Sequence, residues 1–526
     1  MKSNIKSIVE IKTLKSALML LLLVIFNALF WNEMLGLNLF IFSNLLIGTF
    51  LLFHRKSFKY QTVRIAIGFT FVTGIMVLIH NSIISKIAHI VSFCLMLGFF
   101  QQGNLRLLSS AFWSSLVALV SIHHSFLEQI NFIKAPATIP KSSIRKLRLL
   151  IIPLIAFSIF FMIFKIANPV FNKMTNNLGN QLFDILSNLF VDFSFLKILF
   201  LLLGAVIILV SLVKRETTLI VALWESMKTD VLRRELSRER RVMEMELLET
   251  QKNTTFKIMD LKQEYQTGIL LIAMVNLLLL VVNGIDIQFL WLNFEVDEAG
   301  NLAELVHEGT YMLIISILLS MSILMYFFRK NLNFYLKNEL LKKLAYVWIF
   351  QNTILVISVV IRTYYYIIEH GLAYKRIGVL LFLALTTYGL YSLFVKIKEH
   401  KSSFYLWRVN SWATYAMLVF MACINWDMLI VKYNIEKCKT VESKAKIDLG
   451  FMLSRSDQTL PILRENRQYF ETDKRGISSY RNSPNVNTYG TYLDERIETY
   501  LQEQKKYSWA SWNYADAKTV SLLEEK

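Results

Sequence analysis

Proline is scarce in this chain: it occurs six times in 526 residues, and Pro153 alone falls inside a long apolar run. Secondary transporters build their sites from helices broken by Gly or Pro in corresponding halves, and no such pair stands out here. Cysteine is scarcer still. Of three, Cys94 and Cys423 lie in apolar runs and Cys438 stands alone further on, so neither a disulfide framework nor a cysteine metal site follows, and such residues act as small hydrophobes. Charged residues make up 18%, against roughly a quarter in soluble domains. Enzyme signatures are missing too: there is no phosphate-cradling G-x-x-x-x-G-K-[ST], no G-x-S-x-G, no H-E-x-x-H and no paired C-x-x-C. His307-Glu308 begins like a zinc helix, but Tyr311 stands where the second histidine belongs, and His123-His124 is a lone pair. No catalytic, metal or cofactor-binding residue is assigned, and no cofactor is expected.

What the chain has is apolar length. Hydrophobic residues make up 55%, and 17–31, 149–167, 196–213, 268–291, 311–328 and 378–394 are nearly uninterrupted Leu, Ile, Val, Phe and Met. About 20 such residues cross the hydrocarbon core as a helix, because lipid offers the backbone no hydrogen-bond partner. The fold class is therefore all-α, a polytopic transmembrane helical bundle, and the bilayer is its first partner. A formal charge of +18 could point to nucleic acid, but the charges sit in short loops between apolar runs. That is a mark of membrane orientation. Lys2, Lys6, Lys12 and Lys15 before an apolar run resemble a signal peptide, yet no small-residue cleavage pattern follows, which predicts an uncleaved first helix.

Twelve apolar segments can be marked: 17–31, 37–53, 65–80, 87–101, 107–122, 149–167, 196–213, 268–291, 311–328, 344–368, 377–394 and 409–430. The fifth contains Ser109, Ser110, Ser114, Ser115 and Ser121 and begins beside Arg106. If it crossed, 123–148 with its Lys and Arg residues would lie outside. If it spans, twelve helices cross; if it stays at the interface or re-enters, about eleven do. The segments 1–16, 54–64, 102–148, 214–267, 329–343 and 395–408 then hold 34 of the 57 Lys and Arg, against four in the short loops opposite. Positive charge collects inside, so the N-terminus is expected in the cytoplasm and the tail outside. The 292–310 loop agrees, with Glu295, Asp297, Glu298, Glu304 and Glu308 but no Lys or Arg.

Five regions follow. Residues 1–148 are N-terminal membrane helices. Residues 149–213 are membrane helices joined by an external amphipathic segment at 168–195. Residues 214–267 form a charged cytoplasmic helical insertion, with eleven basic and ten acidic residues, typical of a solvated, ion-paired helix. Residues 268–430 are the C-terminal membrane helices, and 431–526 are a small helical extracytoplasmic tail with a loop at 475–491. A protein partner could dock through 214–267 or 431–526.

Ionisable groups in a membrane are costly and face the protein interior, water or each other. Arg362 lies in the tenth apolar segment, with Asp286 and Asp427 near the outer ends of their own segments. Glu369 and His370 follow Arg362 by about two helical turns, and His307 and Glu308 open the helix of the ninth segment. These seven form a candidate polar cluster, functional or else a set of ion pairs holding the outer rim. Arg362 is predicted to pair with Asp286 or Asp427.

Ordered motifs run through the same residues: Val306-His-Glu-Gly-Thr310, Arg362-Thr-Tyr-Tyr-Tyr-Ile-Ile-Glu-His-Gly-Leu372 with Arg376, Asn425-Trp-Asp427 with Tyr433-Asn-Ile435, then Asp448 and Leu460-Pro461. With Asn168-Pro169 and Asn283-Gly-Ile-Asp286 they resemble, across about 150–515, the bacterial domain of unknown function 4173 family and its 4153 relatives. Ala373 stands where that family has Thr. The resemblance implies a multi-pass bacterial inner-membrane protein with no established activity. A non-enzymatic envelope sensor or scaffold is the expected function, with a secondary transporter as the alternative and an intramembrane enzyme behind both.

Overall fold

Several helices open on a side chain that accepts a backbone N–H of the first turn, as Ser82, Ser402, Asp448, Thr488 and Asn513 do. The computed structural model describes residues 2–121, 195–214, 218–231, 258–292, 302–328, 331–335, 338–440, 448–471 and 488–525, with backbone alone for 2–13, 195, 258–261, 302–311, 331 and 440. The expected span at 149–167, the amphipathic segment at 168–195, His123-His124, most of 214–267 and most of the 475–491 loop lie outside the described residues.

Every regular element among them is a helix. In the membrane region these are α1 (Lys2–Phe30), α2 (Leu37–His54), α3 (Gln61–His80), α4 (Ile83–Gln101), α5 (Leu108–Val120), α6 (Phe195–Leu212), α7 (Leu219–Ser226), α8 (Ile258–Asp286), α9 (Leu302–Phe327), α10 (Glu339–His370), α11 (Tyr374–Lys398), α12 (Ser403–Ala422) and α13 (Trp426–Thr440). The tail adds α14 (Leu449–Leu453), α15 (Leu460–Glu465), α16 (Tyr489–Gln504) and α17 (Tyr514–Glu524). A π-helical turn, Ile287–Leu292, extends α8.

Six of these helices are long and apolar enough to cross a membrane, or seven if α12 and α13 count as one bent span; four further apolar stretches are shorter. Leu270, Met274, Leu277, Val281 and Ile285 leave one face of α8 bare. In water that stripe would be a large sticky patch, and in lipid it meets matching solvent. The all-helical membrane bundle therefore stands, while the expected eleven crossings are not reached among the described residues. The segment at 107–122 becomes α5, a helix of 13 residues rising about 20 Å, short of a core of about 30 Å. One expectation is corrected. The segment 409–430 is not a continuous helix, because α12 and α13 meet at 61° across a break at 423–425. Asn425 ends the run by accepting the Met428 N–H at 3.1 Å, which starts a new helix.

Turns sort to two ends. At one end, Asn38 donates to the Leu29 and Met34 carbonyls and accepts from Gly36 N–H, tying the α1–α2 turn together. Asn81, left-handed at φ 44°, ends α3, and Ser82 caps α4. The tail lies on this end: Leu37 N–H donates to Trp512 O at 2.9 Å, Asn81 donates to Asp516 at 2.8 Å, and Gln458 donates to His80 O at 2.6 Å. The Ser508 N–H and the Ser511 hydroxyl donate to Glu33. Desolvation raises the Glu33 carboxyl, but these bonds outweigh it and hold it below its ordinary value. At the other end lie the turns holding His54, Gly103, Lys214, Asp230 and Lys401. There Lys214 donates to Ser57 at 2.7 Å, and Arg408 grips Asp230 with two bonds of 3.3 and 3.1 Å.

Three main cores fill the bundle among the described residues. One lies where α1, α2 and α6 meet around Leu22, Phe26, Leu46 and Ile208. A second lies among α2–α7 around Phe50, Met96, Phe99 and Phe100. The third lies among α8–α11 around Trp348, Phe328 and Leu393. Helix α12 belongs to the last two, with Leu406 in the third core and Tyr415 and Val419 in the second. The tail has its own core, built on Val431 and Ile435 of α13 with Met452, Leu460, Phe470 and Leu493.

Close packing of α4 on α5 rests on Gly98, where a Cβ would collide with the Ala111 carbonyl. Gly98→Ala should cost about 1–3 kcal/mol through overpacking. Gly48→Ala, whose added methyl meets nothing within 4 Å, should be neutral. Melting temperatures in detergent decide, and equal behaviour of the two variants would remove this account of the hairpin.

Candidate functional site

Helix ends leave carbonyls and amides without intrahelical partners, and the α10–α11 turn shows how this chain fills them. Gly371 ends α10 at φ 80°, a conformation suited to glycine. Asn434 of α13, 3% exposed, then clamps the next residue: its oxygen accepts Leu372 N–H at 2.6 Å and its amide donates to Leu372 O at 2.9 Å. Lys437 donates to Ile367 O at 3.1 Å. Arg376 reaches back from α11 to the His370 carbonyl at 3.0 Å and to that of Gly371, with its guanidinium 4.4 Å from the Tyr366 ring. Cations at the negative end of a helix dipole are favourable. At the start of α11, Ala373 has no side-chain acceptor to offer.

Opposite this turn stands the loop after α14. Asp448 caps α14 by accepting Phe451 N–H at 2.9 Å. Arg455 donates to Phe451 O at 3.1 Å and stacks 4.1 Å from the Phe451 ring and 5.2 Å from that of Tyr374. Arg496 of α16 holds this loop through Asp457 at 2.6 Å and the Arg455 carbonyl at 2.5 Å. Between turn and loop lies a cleft of about 510 Å³. Its walls carry three cations (Lys375, Arg376, Arg455), one carboxylate (Asp448), the Asn434 amide, His370 and the rings of Tyr366, Tyr374 and Phe451.

The sequence-predicted residues divide between two places. Arg362 meets Asp286, Nη2 to Oδ1, at 2.5 Å, with side chains 14% and 6% exposed. Asp286 Oδ2 and Arg362 Nε find no further partner among the described residues. This pair stands at the junction of α8 with its π-helical turn, about two helical turns before the end of α10. Asp427 does not reach Arg362. It faces Arg455 at 3.8 Å and bonds Tyr374, because the break at 423–425 turns α13 towards the tail. His370 lines the cleft, Glu369 precedes it on the last turn of α10 without lining it, and His307 and Glu308 lie on α9, where backbone alone is described. One predicted cluster is thus an ion pair within the bundle and a separate cleft at its end. Arg376 and Asn434 fall in stretches that carry the family resemblance, which was the signal available for them. Arg455 has no local signal, since tail packing alone brings it there. Among the described residues, no three His, Cys, Asp or Glu side chains converge to hold a metal.

A family model described as Domain of unknown function (DUF4153) matches residues 18–466. The match falls on the 4153 family rather than on the 4173 number that heads the resemblance. No curated protein matches the chain. No solved structure matches it either.

Removing one partner of a buried ion pair strands the other charge. Arg362→Leu or Asp286→Asn should each cost about 3–5 kcal/mol, and the double variant less than their sum. Asp427→Asn should add independently to Arg362→Leu. Melting temperatures and folded yield in detergent test this, and additivity between positions 286 and 362 would mean that the contact carries no energy. Gly371→Ala should also destabilise, from its positive φ and from a Cβ 2.5 Å from Asn434 Oδ1.

Proposed function

Because the chain belongs to the domain of unknown function 4153 family, a description that assigns no activity, we propose its function from its own geometry: a non-enzymatic sensor of the bacterial inner membrane. Recognition takes place at the cleft on the extracytoplasmic end, and the response passes to the charged segment 214–267 in the cytoplasm. One observation carries the reading, the position of α12. Its N-terminal end is fastened to the base of the charged segment, where Ser402 N–H donates to Asp230 O at 2.8 Å and Arg408 pairs with Asp230 at 3.1 Å. Arg106 joins the same junction through Glu225, whose carboxylate accepts the Arg106 N–H at 2.5 Å. Its C-terminal end runs into the break before α13, where Asn425 donates to Gln458 of the tail at 2.6 Å and Asp427 faces Arg455 at the cleft. A shift of the tail against the α10–α11 turn has a rigid helix through which to reach the opposite end.

The orientation rests on charge. The described basic residues of 54–64, 102–106, 214–228 and 395–408 lie at the end away from the tail, which favours a cytoplasmic N-terminus and an extracytoplasmic tail. The transporter alternative draws on the bent pair, but that break lies level with the tail, whereas transporter sites lie near the bilayer midplane.

In a Cys423→Ser background, a membrane-impermeant maleimide should label Lys375→Cys in intact cells, and should label Met227→Cys only after permeabilisation. The opposite pattern would overturn the orientation. Arg455→Gln should change the labelling rate at Met227→Cys about fivefold or more, the lower range for coupled sites. Equal rates would remove the sensor reading.

A further inference from the structure

We propose that the cleft between the α10–α11 turn and the α14 loop binds a phosphate-type oxyanion, held by Lys375, Arg376 and Arg455. The inference deepens the sensor reading and rests on it for its biological use, though not for its chemistry. Three of the lining side chains are cationic and one, Asp448, is anionic. Asp427, bonded by Tyr374 and 3.8 Å from Arg455, offsets part of that charge, and three cations against two carboxylates still favour an anion in the cleft. Arg376 is preorganised: one nitrogen is fixed on two carbonyls and its plane lies over Tyr366, which lowers the ordering cost of a guanidinium–oxyanion contact. Arg455 is likewise held by the Phe451 carbonyl and two rings.

The backbone adds to the side chains. Ala373 occupies the N-cap of α11 and makes no side-chain cap. The Arg376 N–H turns back to Ala373 O at 3.0 Å, which leaves the Tyr374 and Lys375 amides at the start of this 25-residue helix for a ligand on the cleft wall that these residues line. A bound oxyanion would accept those amides as a capping oxygen does and would sit at the positive end of the dipole. About 510 Å³ leaves room for more than a bare anion, and the Tyr366, Tyr374 and Phe451 rings give an attached organic group an apolar wall. Phosphate at this end of the bundle has two sources, a phospholipid headgroup or a soluble phosphate compound. Exposed Tyr364 and Ile368 on the neighbouring face of α10 would lie along an acyl chain in the first case.

The test uses the full chain purified in detergent. Inorganic phosphate, against chloride at equal ionic strength, should raise its melting temperature in a saturable way, and native mass spectrometry should show whether phospholipid remains bound after detergent exchange. Retained phospholipid that Lys375→Gln releases assigns the site to a headgroup; a saturable phosphate response with no retained lipid assigns it to a soluble phosphate. Lys375 is exposed and has no hydrogen bond or ion pair among the described residues, so Lys375→Gln should fold normally and weaken binding at least fivefold. Ala373→Ser supplies an internal cap and should weaken binding without lowering the melting temperature of the ligand-free protein. Arg455→Gln gives a third reading where the other two are small. Absence of both retained lipid and a phosphate response, or binding indifferent to positions 373, 375 and 455, overturns the proposal. If binding fails while Met227→Cys still responds to Arg455→Gln, the sensor reading survives alone. Binding without that response leaves an anion site and no sensor.

Discussion

A helix that ends near a membrane face leaves carbonyls and amides that neither lipid nor a dry interior can satisfy, and the tail-bearing end of this protein is organised around filling them. Buried amide side chains do most of that. Asn38 joins the α1–α2 turn to itself, Asn434 holds both backbone groups of Leu372, and Gln458 spans from His80 to Asn425. Each amide offers both donors and an acceptor, so one residue can close two open groups on different elements. The tail is thereby part of the bundle's end: it supplies partners that α3 and the α12–α13 break would otherwise lack.

The same requirement shapes the cleft. Arg376 and Lys437 are drawn to the C-terminal carbonyls of α10, and their positive charge remains beside the start of α11. Stabilising one helix end therefore leaves a cationic surface next to an uncapped one. Arg455 is brought opposite by the tail, through the bonds that Arg496 makes to the 453–457 loop. The site is a by-product of capping on one wall and of tail docking on the other.

The Arg362–Asp286 pair answers a different need. A guanidinium within an apolar segment must find a carboxylate, backbone carbonyls or water, and the α8–α10 contact provides the carboxylate. Nearby, Asn276 and Asn283 of α8 donate to the Leu344 and Gln351 carbonyls of α10, and Trp291 donates to Ser358. With Asp286 these form a polar ladder along one helix pair, which fixes its register where apolar packing alone would allow sliding.

Much of this was legible in the chain itself. The apolar runs determined helices and a membrane, because a backbone in lipid has no other way to bond its own groups. The demand that Arg362 be paired followed from desolvation, which depends on the side chain and not on its neighbours. Which aspartate pairs with it was decided by tertiary structure. Asp286 and Asp427 have similar expected depth, and the 61° break at 423–425, made by Asn425 without a proline, turns Asp427 away to Arg455. The cleft was hidden for the same reason, since Lys375 and Arg455 lie 80 residues apart in sequence and meet only where α13 carries the tail back over the α10–α11 turn. Hydropathy acts locally along a chain, so sequence determined the helices and the groups that must be paired; partner choice depends on which helix ends meet, and packing alone decides that.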